Sequence, residues 1–153
     1  ELRRSIREVD GKHDRRWGEL VETLVEGSLA RIFRERGIKV RKIRTNISSI
    51  YRENGRVKEC EFDIITENRG VIVVIEVKTT LTSSHVRKFL EKLKRIKAIL
   101  PAYSHMDIYG AVAFLRIREG VDKYAYREGL FVIKVTSENA TILNDNKFVP
   151  KKW

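Results

Sequence analysis

A carboxylate and a Glu-x-Lys triplet sit on two consecutive apolar segments. Residues 59–66 read Glu-Cys-Glu-Phe-Asp-Ile-Ile-Thr, residues 71–78 read Val-Ile-Val-Val-Ile-Glu-Val-Lys, and Glu67-Asn68-Arg69-Gly70 joins them. Buried strands exclude charge unless it is paired or used. Asp63, Glu76 and Lys78 therefore call for a reason beyond folding. Side chains alternate along a strand, so Glu76 and Lys78 share a face. With Arg69-Gly70 as a two-residue turn, antiparallel pairing sets Asp63 opposite Glu76 and Glu61 opposite Lys78. A glycine where the turn can demand a positive φ favours that register, whereas a three-residue loop without a bulge would put Asp63 on the other face.

That patch would hold three carboxylates and one amine. Clustered carboxylates repel, a divalent cation relieves the repulsion, and oxygen ligands suit Mg²⁺ or Mn²⁺. A metal with a lysine-oriented water is the equipment for hydrolysing a phosphodiester. Asp63 and Glu76 are the expected ligands, against a partly buried salt-bridge network with Lys78. Glu61 either ligates the metal or pairs with Lys78.

Several elements must position these groups. Residues 14–36 read as a helix with Trp17, Leu20, Val21, Leu24, Val25, Leu29, Ile32 and Phe33 on one face, ended by Gly37. At 100° per residue Glu22 projects between Leu29 and Phe33, on the flank of that stripe, while Glu19 and Glu26 point outward. Glu22 is thus either the helix carboxylate that reaches the metal or a solvated charge. Residues 38–53 read as a strand, Asn54-Gly55 as a hairpin turn and 57–66 as the next strand. Residues 71–78 are apolar on both faces and belong in the middle of a sheet. Residues 84–100 form a helix followed by Pro101, 108–117 a buried strand, 120–128 a helix and 130–135 a strand. The tail from Lys147 to Trp153 reads as loose.

Asp63 followed by Glu76-Val77-Lys78 on the next strand resembles the signature of the PD-(D/E)XK nuclease superfamily, with Phe62 where the motif has proline. The segment from Gly18 to Phe33 resembles the first core helix of that fold. More narrowly, the chain is similar to uncharacterised prokaryotic members that carry a coiled coil ahead of the nuclease-like domain. The resemblance covers roughly residues 14–136. It implies an α/β fold with a restriction-endonuclease-like core, a central mixed sheet flanked by helices. It also implies catalytic roles for Asp63, Glu76, Lys78 and Glu22, DNA as the partner, and a homodimer as an assembly suited to cutting two strands.

The chain has 153 residues, 42% of them hydrophobic, and a net charge of +11. That charge suits an anionic polymer, or else a well-solvated surface. Arg87, Lys88, Lys92 and Arg95 on the outer face of the second long helix, and Lys39 and Arg41 on the first strand, are the expected backbone contacts. Thr79, Thr80, Thr82, Ser83 and Ser84 could donate to phosphate at that helix's start, although Ser83 itself reads as the N-cap. The single cysteine, Cys60, excludes an internal disulfide and a cysteine-based zinc site. No apolar run spans a membrane, and a cytoplasmic location is expected. His13, His85 and His105 have no metal spacing, and no Walker-type glycine loop is present. Leu2, Ile6, Val9, His13, Arg16 and Leu20 form a short imperfect heptad, so residues 1–13 read as the end of a coiled coil or as a frayed helix, and 14–153 as the nuclease-like domain. The alternatives to a nuclease are a catalytically inactive nucleic-acid-binding module and an oligomerisation module.

Overall fold

The computed structural model describes residues 15–153, apart from the side chains of Val25 and Glu26. The heptad expected over residues 1–13, with His13, lies outside the described residues. Six strands form one sheet in chain order: β1 (Lys42–Glu53), β2 (Arg56–Glu67), β3 (Val71–Leu81), β4 (Asp107–Ile117), β5 (Phe131–Val135) and β6 (Ala140–Ile142). β1–β2–β3 is an antiparallel meander, β3–β4–β5 is parallel, and β6 returns antiparallel to β5. Helices cover both faces. This is the α/β architecture, a central mixed sheet flanked by helices, that the sequence implies. No helix among the described residues is long and apolar enough to cross a membrane.

One face is covered by α1 (Arg15–Thr23) and α2 (Leu29–Arg34), which pack Leu20, Leu29, Ile32 and Phe33 against Ile64, Ile75 and Ile133. The other is covered by α3 (Ser83–Lys94), α4 (Ile96–Ile99) and α5 (Val121–Arg127), which pack Phe89, Leu93 and Ile96 against Ile72, Val74 and Phe114. The parallel strands are apolar on both sides because both sides are covered. Gly110 lets α3 approach: a Cβ there would lie 2.6 Å from a Leu93 methyl and 2.8 Å from a Leu130 methyl.

The first helix is not continuous. Leu24–Ser28 forms a π turn between α1 and α2. An extra residue in a turn advances the helical phase by about 100°. The projection that set Glu22 between Leu29 and Phe33 crosses that turn and fails. The second long helix likewise breaks at Arg95, and its N-cap is Thr82 rather than Ser83. Thr82 Oγ1 accepts from the His85 amide, and His85 Nδ1 accepts from the Thr82 amide, a reciprocal cap.

Both expected hairpins form. Asn54 and Gly55 take φ of 52° and 76°, as their turn requires. The β2–β3 turn has the expected register, with Ile64 facing Ile75 and Glu67 facing Ile72. Gly70 does not have a positive φ there. The turn is held instead by Asn68, whose Oδ1 accepts from the amides of Gly70 and Val71 at 2.9 Å. The tail is docked, not loose. The Lys151 amide donates to Gly129 O, the Trp153 amide donates to Ile108 O at 2.8 Å, and Phe148 meets the Phe131 ring at 5.1 Å.

Candidate active site

The site forms where the β2–β3 ladder stops. Pairing runs from Glu67–Ile72 to Ile64–Ile75 and goes no further. At the next position Asp63, only 2% exposed, turns its carboxylate into the space between the strands, and Oδ2 accepts from the Val77 amide at 2.8 Å. A side chain has replaced a backbone carbonyl as the ladder partner. On the other side of β2 the ladder also skips this level: Thr45 pairs Ile64 and Ile47 pairs Phe62, while Asn46 between them has φ of 52°. Asparagine tolerates this left-handed conformation better than most residues. It has a visible effect. Ile43 and Ile64 pack on the α1–α2 side, but Ile47 and Phe62, of the same parity, pack on the α3 side. The strands' alternation reverses across the level of Asp63.

Glu76 lies beside Asp63, and its carboxyl is pushed up to about 7. Burial is the main cause, the Asp63 charge the next, and a carboxyl–carboxylate hydrogen bond to Asp63 adds to it; Lys92 and Lys78 pull the other way. Lys78 shares this face, half-buried one row beyond Glu76. Sequence reasoning put Lys92 on the outer face of α3. The structure brings it inward: it is half-buried, donates to Glu61 O and holds its ammonium 4.9 Å from the centre of the Phe62 ring. Phe62, the residue in the proline position of the motif, is therefore the aromatic floor for a lysine, a use that no pattern of residue types revealed.

The three-carboxylate patch does not form. Glu61 pairs across to Ser48 in β1, not to Lys78, because β2 has left β3 by that point. With the alternation reversed, the Glu61 side chain lines a cleft with Trp17, Asn46 and Ile47. Among the described residues no three Asp, Glu, His or Cys side chains converge as a metal would need. Glu22 is not brought to the pair either. It is exposed and faces a cleft lined by Leu115, Thr136 and Ser137, on a helix that packs against the opposite side of the sheet from Glu76. The same helix does reach the strand through Trp17, whose Nε1 donates to Val77 O at 3.4 Å.

The expected backbone contacts divide. Arg87 and Lys88 are exposed on α3. Arg95 is committed elsewhere, ion-paired to Glu53 and donating to the Tyr51 hydroxyl at 3.0 Å. Lys39 and Arg41 precede β1 and sit at the turn end of the hairpin, where Lys39 O accepts from Asn68 and the Arg41 amide donates to Glu67 O. That is four residues, about 13 Å of strand, from the level of Asp63.

No protein-family model and no curated protein sequence matches the chain. Among solved structures it is similar to a repair endonuclease from Pyrococcus abyssi, at 22% identity over 50% of this chain and 33% of that one, with a TM-score of 0.41. It is also similar to a protein of unknown function, at 20% identity over 68% of this chain and 53% of that one, with a TM-score of 0.42. A third is EndoMS in a complex with double-stranded DNA, at 15% identity over 59% of this chain and 37% of that one, with a TM-score of 0.41. The chain spans about a third to a half of the length of these proteins.

Proposed function

We propose that this chain is a metal-dependent endonuclease-like domain that hydrolyses phosphodiester bonds in DNA. The observation that carries the reading is the Asp63–Glu76 pair, two carboxyls held side by side in a gap in the sheet and flanked by two lysines. Such a pair fits Mg²⁺ or Mn²⁺, because Mg²⁺ is commonly held by one or two carboxylates, with waters and substrate phosphates completing the shell. Asp63 and Glu76 would hold the ion, which when bound supplies polarisation of a phosphate oxygen and lowers the pKa of a water.

The chain's own residues do the rest. The Val77 amide holds the Asp63 carboxylate in place by donating to it. Without a cation Glu76, raised to about 7, keeps its proton at lower pH and must lose it to bind one. Lys78 places a positive charge on the same face, one row on, where a phosphate oxygen would need a partner. Lys92 pins the Glu61 carbonyl and so keeps the strand that carries Asp63 in place.

Cleavage of plasmid DNA with Mg²⁺ or Mn²⁺, alongside Glu76→Ala and Lys78→Ala, tests the reading. Loss of cleavage in both variants is expected. Equal cleavage by all three proteins would mean contamination. A second reading, a module that binds nucleic acid without cutting it, is favoured by the lack of a third converging ligand among the described residues. It is distinguished by salt-dependent duplex binding with no turnover in any divalent metal. Homodimerisation belongs to the same proposal. Sedimentation before and after removal of residues 1–13 tests the heptad's contribution, and an unchanged mass removes it.

A further inference from the structure

The sheet register places a second lysine in line with Lys78. β3 pairs β4 through Lys78–Phe114, and β4 pairs β5 through Phe114–Lys134. The three residues form one row across the carboxyl ends of the parallel strands. Phe114 packs in the α3-side cluster, and the Lys134 ammonium lies 5.8 Å from the centre of its ring, so Lys134 is on the same face as Glu76 and Lys78. This lysine is half-buried, and among the described residues its ammonium donates to Leu115 O alone. No ion pair among the described residues uses Lys134. A half-buried ammonium satisfied by a ring and a carbonyl, with no counter-charge, is suited to an anion from outside.

We infer that Lys134 is a phosphate contact, and that a nucleic-acid backbone crosses the carboxyl ends of β3, β4 and β5 from Lys78 to Lys134. Neighbouring strands lie about 4.8 Å apart, so two strand steps span roughly 10 Å. Successive phosphates of one duplex strand lie farther apart than the axial rise of about 3.4 Å per step, because the backbone winds around the axis. The two ammoniums therefore match phosphates one or two positions apart. This path runs across the strands, not along the exposed face of α3 that carries Arg87 and Lys88. The inference rests on the nuclease-like reading of the Asp63–Glu76 site and adds the direction in which the substrate lies.

Duplex binding by fluorescence anisotropy, in chelator so that no metal acts, tests it across a salt series. Lys134→Met should flatten the slope of log affinity against log salt by about 0.9, the value of one phosphate contact. Lys134→Arg should restore the slope. In the unaltered protein, duplex should shield Lys134 and Lys78 from acetylation, read by mass spectrometry, several-fold more than it shields Lys88. This second measurement decides the matter if Lys134→Met fails to fold. An unchanged slope in Lys134→Met, or shielding of Lys88 in place of Lys134, overturns the path and leaves the active-site reading standing. A wild-type protein that does not bind duplex at low salt overturns both.

Discussion

The two halves of the β2–β3 hairpin are built from similar sequence and do opposite things. Near the turn, Ile64–Glu67 and Ile72–Ile75 form an unbroken ladder, with every isoleucine and valine in it buried. One level further on, the same strands stop pairing, an aspartate takes an amide that a carbonyl would otherwise take, and two carboxyls share the gap. The closed half stabilises by excluding water. The open half leaves a polar space whose charges oppose burial, and the closed half and the two helical layers hold it open. Ending a ladder early, between two packed faces, is how this chain brings two carboxyls together.

Changes that strike the closed half should have the largest effect on stability. Ile65, fully buried, should cost about 2–5 kcal/mol as Ile65→Ala, measured by denaturant unfolding, since a cavity opens between packed layers. The open half should respond to pH. Glu76 is raised from 4.5 to about 7, so the folded state keeps a proton that the unfolded state has lost between those values. Stability should therefore fall as pH rises from about 4.5 to about 7, by up to about 3 kcal/mol. Glu76→Gln should remove that slope in a series of thermal melts, and an identical slope in the variant would place the titration elsewhere. The same proton competes with a cation, so Mn²⁺ should raise the melting temperature more at pH 8 than at pH 5.5.

Substitutions at Asp63 sharpen the contrast further. Asp63→Ala strands the buried Val77 amide and should cost about 1–3 kcal/mol. Asp63→Asn can keep that acceptor and removes the charge beside Glu76, so its cost should fall within about 1 kcal/mol of zero while the metal-induced shift is lost. Asparagine and alanine of equal effect would mean that the Val77 bond contributes nothing.

The hairpin register was legible because turn chemistry and strand alternation are local. That Asp63 lies beside Glu76 followed from the register of an Arg69-Gly70 turn, although Asn68 and not Gly70 holds it. The third carboxylate was lost because β2 and β3 stop pairing at Ile64–Ile75, so Glu61 meets Ser48 and not Lys78. No residue type in β2 announces that. Glu22 was misplaced for a similar reason, since a π turn adds no residue type that a periodicity could detect. Lys92 was read as surface from its place on the helix, but its long side chain reaches the Glu61 carbonyl and the Phe62 ring. The docked tail depends on contacts far along the chain: Gly129, at φ of 82°, has no Cβ to meet Lys151, only 2.5 Å from where one would be.

The identity of sheet order and chain order bears on how the molecule is made. Each strand pairs with the strand before it, so none must be threaded between two that are already joined. A chain emerging from its amino end can add strands one at a time, each onto an edge already in place, and the entropy of loop closure stays modest at every step. The unsatisfied edge moves along with synthesis until β6 reaches it. The long loops that make parallel sheets slow to assemble are here the helical crossovers themselves, and the last seven residues close over strands already formed.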